Sequence, residues 1–293
     1  MSIQVCFAGA ENVNDRDTAF VAGARNFLFT AWNYLQKASV SQDDFTRIAR
    51  IMSGANITIM DSGLFTLLFG SKSGKVGRRE IDRYFDSLVH FIRRMGKVTP
   101  VCVEADAQKI IGPEATWELR KRFREALPGV QQINVVHPED GVEGLDRIID
   151  FADYIGIPCV EMRRLDRSNA ATQIRDLVYY IKARKPGIKI HLLGCTDLGI
   201  LDSLRQDVTT ADSTSWNAHR KFGYRDGIAP TPELERMVGE AVKSSQFLAR
   251  YKVGESENRV KGYTAMYIGA LEVLNELEGK VGPQVRGTPL VSL

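Results

Sequence analysis

Short apolar runs rich in Val, Ile, Phe and Thr recur along the chain, and stretches with apolar residues at helical spacing lie between most of them. Apolar runs of this length, bounded by turn-forming residues, are typical of buried strands. The pattern predicts eight strands, at residues 3–8, 26–30, 57–60, 100–104, 133–136, 154–157, 189–193 and 208–211.

The intervening stretches predict helices, and the order of elements predicts the fold. Alternation of strands and helices favours a parallel sheet. Eight such units fit an α/β fold of the (β/α)8 TIM-barrel type, for which about 250 residues is a typical length. A doubly wound sheet is the competing architecture, but no Gly-x-Gly-x-x-Gly motif follows the first strand. The clearest predicted helices are residues 78–94, 113–126, 141–152, 170–183 and 198–206.

The last quarter of the chain has helical rather than strand character. Residues 232–251 and 259–278 predict two helices, and residues 282–289 read as an extended segment. We find no linker that would separate an independent domain. The chain is therefore predicted to be a single domain over residues 1–293, with the barrel at about 1–216 and a helical C-terminal extension at about 217–293.

Composition excludes some function classes without choosing among the others. The chain has 44% hydrophobic and 26% charged residues, and its formal net charge of +3 gives no general argument for nucleic-acid binding. No apolar run reaches about 18 residues and no leader precedes the first strand, which predicts a cytoplasmic protein without a membrane partner. The four cysteines lack Cys-x-Cys and Cys-x-x-Cys spacing, so we expect reduced thiols and no structural zinc.

Two segments far apart in the chain share one pattern that suggests chemistry. A β-branched run ends in Asp61-Ser62, and a second run ends in Asp212-Ser213. Strand ends of a barrel open onto one face, where two carboxylates could serve as nucleophile and proton shuttle at a sugar carbon. The alternative is that each Asp-Ser pair only opens a turn or caps a helix.

Four segments, taken in order, resemble the tRNA-guanine transglycosylase superfamily. Residues 59–65, Ile-Met-Asp-Ser-Gly-Leu-Phe, resemble its Asp-Ser-Gly-Gly-Phe signature. Residues 135–138 with 153–157 are similar to its fifth and sixth strands, and residues 191–195 to its seventh strand. Residues 212–216, Asp-Ser-Thr-Ser-Trp, resemble the eighth-strand segment of the phage and bacterial DNA 7-deazaguanine transglycosylases. The resemblance covers roughly residues 1–225.

The resemblance implies roles for individual residues. Asp212 would be the nucleophile and Asp61 the general acid/base, while Asp106, or failing that Glu104, would accept hydrogen bonds from the guanine edge. Chemistry on a buried base also requires the base to be extruded, and Phe65 or Trp216 could stack on it, with a structural role as the alternative for both aromatic residues. The remaining substrate-binding residues implied by the matched segments are Ser62, Gly63, Gly194 and His137, the last standing where tRNA enzymes carry Gln.

Two departures from the superfamily point to the substrate. The Cys-x-Cys-x-x-Cys…His zinc site of the tRNA enzymes is missing, and the chain is shorter. The resemblance therefore implies DNA as the nucleic-acid partner, with tRNA as the alternative, and a free 7-deazaguanine base as the second substrate. It implies no cofactor, leaves a homodimer open, and places a phage-encoded protein in the host cytoplasm.

Two basic clusters would lie on the active face of the barrel and could hold phosphates. The loop after the third strand resembles a phosphate loop, but it is one residue short and lacks the Ser or Thr after its lysine. A solvated turn is an equally good interpretation of this loop. The candidate nucleic-acid-binding residues are Lys72, Lys75, Arg78, Arg79, Arg163, Arg164 and Arg167.

Three other functions remain open at this point. The chain could be a zinc-free relative that acts on RNA, or a non-catalytic subunit that binds nucleic acid, although the latter has no need of both Asp61 and Asp212. It could also be a metal-dependent hydrolase, with His137 and His191 joined by Glu161 or Asp212 as ligands. We predict that no metal is bound.

Overall fold

The fold is known from a computed structural model, which describes most of the chain. The described residues are 2–11, 13–35, 41–42, 45–46, 49, 52, 54–64, 77–95, 101–195, 197–224, 230–244 and 257–290.

Eight parallel strands form a closed barrel in which each strand pairs with the next and the last pairs with the first. The predicted TIM barrel with a helical C-terminal extension is thus confirmed. The strands are β1 (Gln4–Ala8), β2 (Asn26–Thr30), β3 (Ile57–Asp61), β4 (Val101–Val103), β5 (Gln131–Val135), β6 (Tyr154–Pro158), β7 (Lys189–Leu193) and β8 (Thr210–Ser213).

Helices surround the barrel, as the alternating pattern requires. Helix α3 buries one face, from Ile81 to Met95, and exposes the other, which is the amphipathic pattern that places a helix on a sheet. The described helices are α1 (Val13–Val21), α2 (Trp32–Leu35), α3 (Arg78–Met95), α4 (Gln108–Ile111), α5 (Pro113–Ala126), α6 (Gly141–Phe151), α7 (Cys159–Leu165), α8 (Ala170–Arg184), α9 (Leu198–Ser203), α10 (Ala218–Phe222), α11 (Pro232–Ser244) and α12 (Glu257–Lys280).

The long C-terminal helix α12 packs against α1, α10 and α11. Its length does not make it a membrane span, because among the described residues no helix is apolar enough over the necessary length.

The inside of the barrel is a small apolar core. It lies beneath the mouth, which is the opening of the barrel at the carboxyl ends of the strands. Alternate residues of the strands point inward, among them Cys6, Leu28, Ile59, Val103 and Ile133, and all of these are buried. Two larger clusters fill the space between the sheet and the helices. The barrel is therefore a packed core, and the cavities that contain Asp61 and Asp212 lie towards the carboxyl ends of the strands.

Strand β8 begins two residues later than its sequence pattern predicts. We expected residues 208–211, but the strand runs from Thr210 to Ser213 because Gln4 of β1 pairs with Thr210 and Cys6 pairs with Asp212. A distant strand sets this register, so the local pattern could not reveal it. As a consequence Asp212 lies within the strand, where its backbone is fixed by the barrel.

The end of the chain returns to the opposite face of the barrel, beside the start of β1. Gln284 accepts a hydrogen bond from the Val5 backbone at 3.0 Å and donates one to Ile3 O at 2.8 Å. Arg286 forms a bridge with Ala24, just before β2. The extended segment expected at residues 282–289 is thus a strap across the amino ends of two strands.

Candidate active site

Three Asp side chains meet at the carboxyl ends of the strands. Asp61 is the last residue of β3, Asp106 follows β4, and Asp212 lies in β8. All three line one cavity of about 190 Å³ in the barrel mouth. Because parallel strands of a closed barrel direct their carboxyl ends to one face, residues far apart in sequence come together here.

Asp212 is held by hydrogen bonds to one of its two oxygens. The backbone N–H of Gly194 donates to Oδ1 at 2.8 Å, and Nε2 of His191 lies 3.2 Å from the same oxygen. On its other side, Nδ1 of His191 lies 2.6 Å from the Thr210 hydroxyl, which is 2.5 Å from the Tyr154 hydroxyl. If His191 donates to Asp212, its Nδ1 accepts from Thr210. Among the described residues both bonds go to Oδ1, which leaves Oδ2 for a substrate atom.

The surroundings of Asp61 favour the protonated form of its carboxyl. Burial is the main cause that raises the pKa of its carboxyl to about 7, and the nearby charges of Asp212, Glu11 and Asp106 act in the same direction. The backbone N–H of Gly63 donates a hydrogen bond that partly opposes this rise. A carboxyl with a pKa near neutrality can both give and take a proton at physiological pH.

Asp106 is kept ionised by a histidine. Its Oδ1 lies 3.0 Å from Nε2 of His137, and Nδ1 of His137 lies 3.2 Å from Oε2 of Glu161. Burial opposes charge on both groups, but the two carboxylates together raise the pKa of His137 to about 10. In turn the imidazolium lowers the pKa of Asp106 in spite of burial. Asp106 is therefore a hydrogen-bond acceptor in the cavity, whereas the carboxyl of Asp61 has a pKa at which both of its protonation states are accessible.

A group of possible metal ligands lies beside Asp106. One ligand atom each of His137, Glu139 and Glu161 lies within 4.8 Å of the others. A protein cation already occupies their neighbourhood, since the Lys109 ammonium contacts Glu139 and lies 2.8 Å from Oε1 of Glu161. Both ring nitrogens of His137 also lie next to carboxylates, which favours the protonated ring over a metal ligand. The chemistry of this set fits an ion-pair network better than a metal centre.

We therefore expect no stoichiometric metal in the purified protein. Inductively coupled plasma analysis should find much less than one zinc, manganese or iron per chain. The variant to measure beside the wild type is Lys109→Met, because loss of the ammonium is the change most able to open a cation site. Close to one metal per wild-type chain, lost in His137→Ala, would contradict this expectation and favour the hydrolase alternative.

The mouth contains two connected compartments of different size. The smaller, of about 190 Å³, contains Asp106, Ser62 and Glu161 besides Asp61 and Asp212, and the rest of its wall is formed by apolar residues such as Val103 and Val135. The wider, of about 730 Å³, extends towards the residues that follow β1 and β2. Residues common to both compartments mark the place where they meet, and these are Leu28, Asp61, Val160, Gly194 and Asp212.

Two glycines at the mouth are required by close packing. Gly194 has φ +64°, and a Cβ there would lie 2.5 Å from Cγ2 of Val160. Gly63 has φ +76°, and a Cβ there would overlap the Cβ of Trp32. Positive φ without room for a side chain restricts both positions to glycine. The amide of Gly194, expected to face a base, instead donates to Asp212.

Glu104 is a correction to the predicted base-binding set. It is buried beside the barrel and does not line the mouth. Nε of Arg120 donates to both of its oxygens, at 2.9 and 2.8 Å, and Asn134 and the Val135 backbone donate to it as well. Because these donors occupy the carboxylate, it has a structural role, and Asp106 is the acid that reaches the cavity.

Trp216 is the second correction. Its side chain is fully buried, its ring stacks on Phe7 with centroids 5.6 Å apart, and its Nε1 donates to Ala8 O at 2.9 Å. A ring packed on the outside of β1 cannot stack on a base in the mouth. Phe65, the other predicted stacking residue, lies outside the described residues, as do Lys72 and Lys75.

Among the described basic candidates, Arg163 lines a compartment of the mouth, and the others are exposed. Arg78 and Arg79 are exposed at the start of α3, where Arg78 pairs with Asp82. Arg163 is half-buried and donates to Gly194 O at 2.6 Å, so it helps to build the wider compartment. Arg164, on the same helix α7, and Arg167, in the turn that follows it, are exposed.

Three residues that line the wider compartment were missed by the sequence analysis. Glu11 follows β1 and accepts a hydrogen bond from the Thr30 backbone at 3.0 Å, while Trp32 and Asn33 follow β2. Burial raises the pKa of the Glu11 carboxyl. The feature of the sequence that could have indicated these residues is their position, since each follows the end of a predicted strand. None of the three belongs to an Asp-Ser pair at a strand end.

No protein-family model matches the chain, and no curated protein matches it either. Its function is therefore inferred from the arrangement of side chains in the barrel mouth.

Proposed function

We propose that the protein is a DNA guanine transglycosylase, which exchanges guanine for a 7-deazaguanine base through a covalent aspartyl-glycosyl intermediate. The observation that carries the proposal is the position of Asp61 and Asp212 at the junction of the two compartments. A nucleotide with its base in the smaller compartment would place its glycosidic bond beside both carboxylates. The same two residues lie in two of the four segments that resemble the transglycosylases.

The first half of the reaction would cleave the glycosidic bond. Oδ2 of Asp212 attacks C1′ of the sugar, the bond between C1′ and the guanine nitrogen breaks, and Asp61 gives its proton to the leaving guanine. The hydrogen bond from Gly194 to Oδ1 of Asp212 keeps the carboxylate oriented throughout. The sugar remains attached to the enzyme as an ester, so the nucleic-acid strand is not lost.

The second half would reverse the first with another base. The incoming 7-deazaguanine gives its ring-nitrogen proton to Asp61 and attacks C1′, which releases Asp212 as a carboxylate. Both carboxyl groups return to their starting states. The ionised Asp106 would accept hydrogen bonds from the N–H donors that guanine and 7-deazaguanine share, and its pairing with His137 keeps it ionised for this role.

Replacement of Asp61 by Asn should slow exchange by about 10²–10⁴-fold, since proton transfer is lost while the shape of the side chain is kept. The wild-type rate should also fall as the pH rises above about 7, because the first step needs the protonated carboxyl, whose pKa is about 7. Single-turnover rates measured from pH 5 to 9 test both points. A variant less than tenfold slower, with the wild-type pH profile, would remove Asp61 from this role.

The choice of DNA over tRNA is tested by competition for labelled-guanine exchange at one fixed salt concentration. We expect DNA to be modified in preference to unmodified tRNA, since the zinc motif of the tRNA enzymes is missing. Arg164→Glu in α7 and Arg167→Glu in the turn after it, both at exposed positions, should weaken DNA binding and lower its salt slope by about one per lost phosphate contact. Arg205→Glu, exposed after α9 at the opposite face, is the matched control.

Two results of this competition would contradict the proposal. If tRNA outcompetes DNA, the proposed activity on DNA is replaced by the related exchange reaction on RNA. If the charge reversals at Arg164 and Arg167 leave DNA affinity at the level of Arg205→Glu, the DNA strand does not cross this side of the mouth.

A further inference from the structure

Trp32 is an aromatic side chain that lines the wider compartment close to the proposed reaction centre. It is the first residue of α2, two positions after the end of β2, and it is half-buried. The same compartment contains Asp61 and Asp212. The chain has three tryptophans; Trp216 is fully buried and Trp117 packs against Phe151 on α6, so Trp32 is the one that faces the mouth.

The Trp32 ring packs against a tyrosine that is hydrogen-bonded to the segment containing Asp61. Its neighbour is Tyr84 of α3, with ring centroids 5.7 Å apart at an angle of 44°. The hydroxyl of Tyr84 donates to Ser62 O, which ties this support to the residue after Asp61. Gly63 passes so close to Trp32 that any side chain there would overlap it. The indole is therefore fixed relative to Asp61 before any ligand binds.

The size and chemistry of the wider compartment exceed what one sugar needs. At about 730 Å³ it is several times larger than the compartment of about 190 Å³ that would take the target base. Across from Trp32, the Arg163 guanidinium is anchored on Gly194 O and also lines the space. A fixed aromatic surface and an arginine across one opening are the two groups that single-stranded nucleic-acid sites use for bases and backbone.

We propose that Trp32 is the stacking platform for the nucleotide next to the target nucleotide, and that Arg163 faces the sugar-phosphate backbone between the two. This inference rests on the proposed function, because it assumes that the target base occupies the smaller compartment. The substrate is then a polynucleotide with the target guanine extruded and its neighbour unstacked from the helix. A free nucleoside would leave the wider compartment largely empty and would be a poor substrate.

The test uses tryptophan fluorescence of the full chain with short single-stranded oligodeoxynucleotides that contain one guanine. One oligonucleotide carries normal bases beside the guanine, and its matched partner carries abasic sites there. Binding is measured independently by anisotropy of an end label. The variants are Trp32→Phe, which keeps an aromatic ring at this position of the mouth, Trp32→Leu, and the control Trp117→Phe on the outer surface of the barrel.

We expect the normal oligonucleotide to quench the fluorescence of the wild type and of Trp117→Phe but not that of Trp32→Phe. The abasic partner should bind the wild type about 5- to 150-fold more weakly, which is the range for loss of one stacked base. In Trp32→Leu the normal and abasic oligonucleotides should bind alike. Circular dichroism and thermal unfolding would show whether the variants are folded.

The outcomes separate this inference from the proposed function. If guanine exchange is intact but quenching survives in Trp32→Phe, or the abasic partner binds the wild type as well as the normal one, the neighbouring base does not stack on Trp32. If the wild type neither binds any oligonucleotide nor exchanges guanine in DNA or tRNA, the proposed function itself fails and this inference fails with it.

Discussion

Asp212→Asn is expected to abolish base exchange while the protein remains folded. An amide cannot attack C1′ and then leave as a carboxylate does, so no glycosyl-enzyme would form. The fold should survive because the Asn carbonyl can still accept the hydrogen bonds that Gly194 and His191 direct at Oδ1. Labelled-guanine exchange measures the loss, and mass spectrometry of acid-quenched enzyme should find a nucleic-acid adduct in the wild type alone.

A control for this variant is Asp202→Asn, on the exposed side of α9, which should exchange guanine at the wild-type rate. Exchange at the wild-type rate by Asp212→Asn would remove Asp212 from the nucleophile role. Loss of exchange accompanied by loss of the folded state would instead call for Asp212→Glu, where a displaced carboxylate should also fail.

Arg120→Ala is expected to lower the free energy of unfolding by about 3–5 kcal/mol, the largest effect on stability that we predict. The Arg120 side chain is 3% exposed and donates to both oxygens of Glu104 and to Val135 O at 2.6 Å. Truncation would leave a carboxylate buried without its cation, in the wall between β4 and β5. Urea denaturation at pH 7 provides the measurement.

The matched control is Arg236→Ala in α11, where an exposed pair with Glu240 is lost. Exposed pairs contribute roughly 0–1 kcal/mol, so this variant should unfold close to the wild type. If Arg120→Ala were no less stable than Arg236→Ala, the Glu104–Arg120 pair would not be a structural element of the barrel wall.

Much of the fold could be predicted from sequence, because a buried parallel strand leaves a local signature. The predicted strands at residues 26–30 and 189–193 and the helix at 113–126 coincide with β2, β7 and α5. The shift of β8 shows the limit of this approach. Thr209 and Thr210 are equally good strand residues, and the choice between them is made by pairing with Gln4 at the other end of the chain.

The candidate site was predictable where it depends on strand ends and not where it depends on what packs behind them. Asp61 and Asp212 could be placed on one face because a barrel fixes the direction of its strands. Trp216 and Glu104 also lie next to strand ends, but the first is covered by α12 and the second is paired with Arg120 of α5. Contacts between elements that are distant in sequence decide whether such a side chain faces a cavity or a core.

The pairing of β1 with β8, which closes the barrel, has a consequence for how the chain folds during synthesis. Strand β1 can pair with β8 only when residue 210 has been made, and Val5 finds its acceptor on Gln284 later still. Until then, one edge of β1 and the amino end of the barrel stay open. Contacts of such long sequence separation slow folding, because a large loop must close before they form. On the ribosome, the nascent chain would therefore expose an unpaired strand edge until most of its length has emerged, and in that interval it would depend most on chaperones.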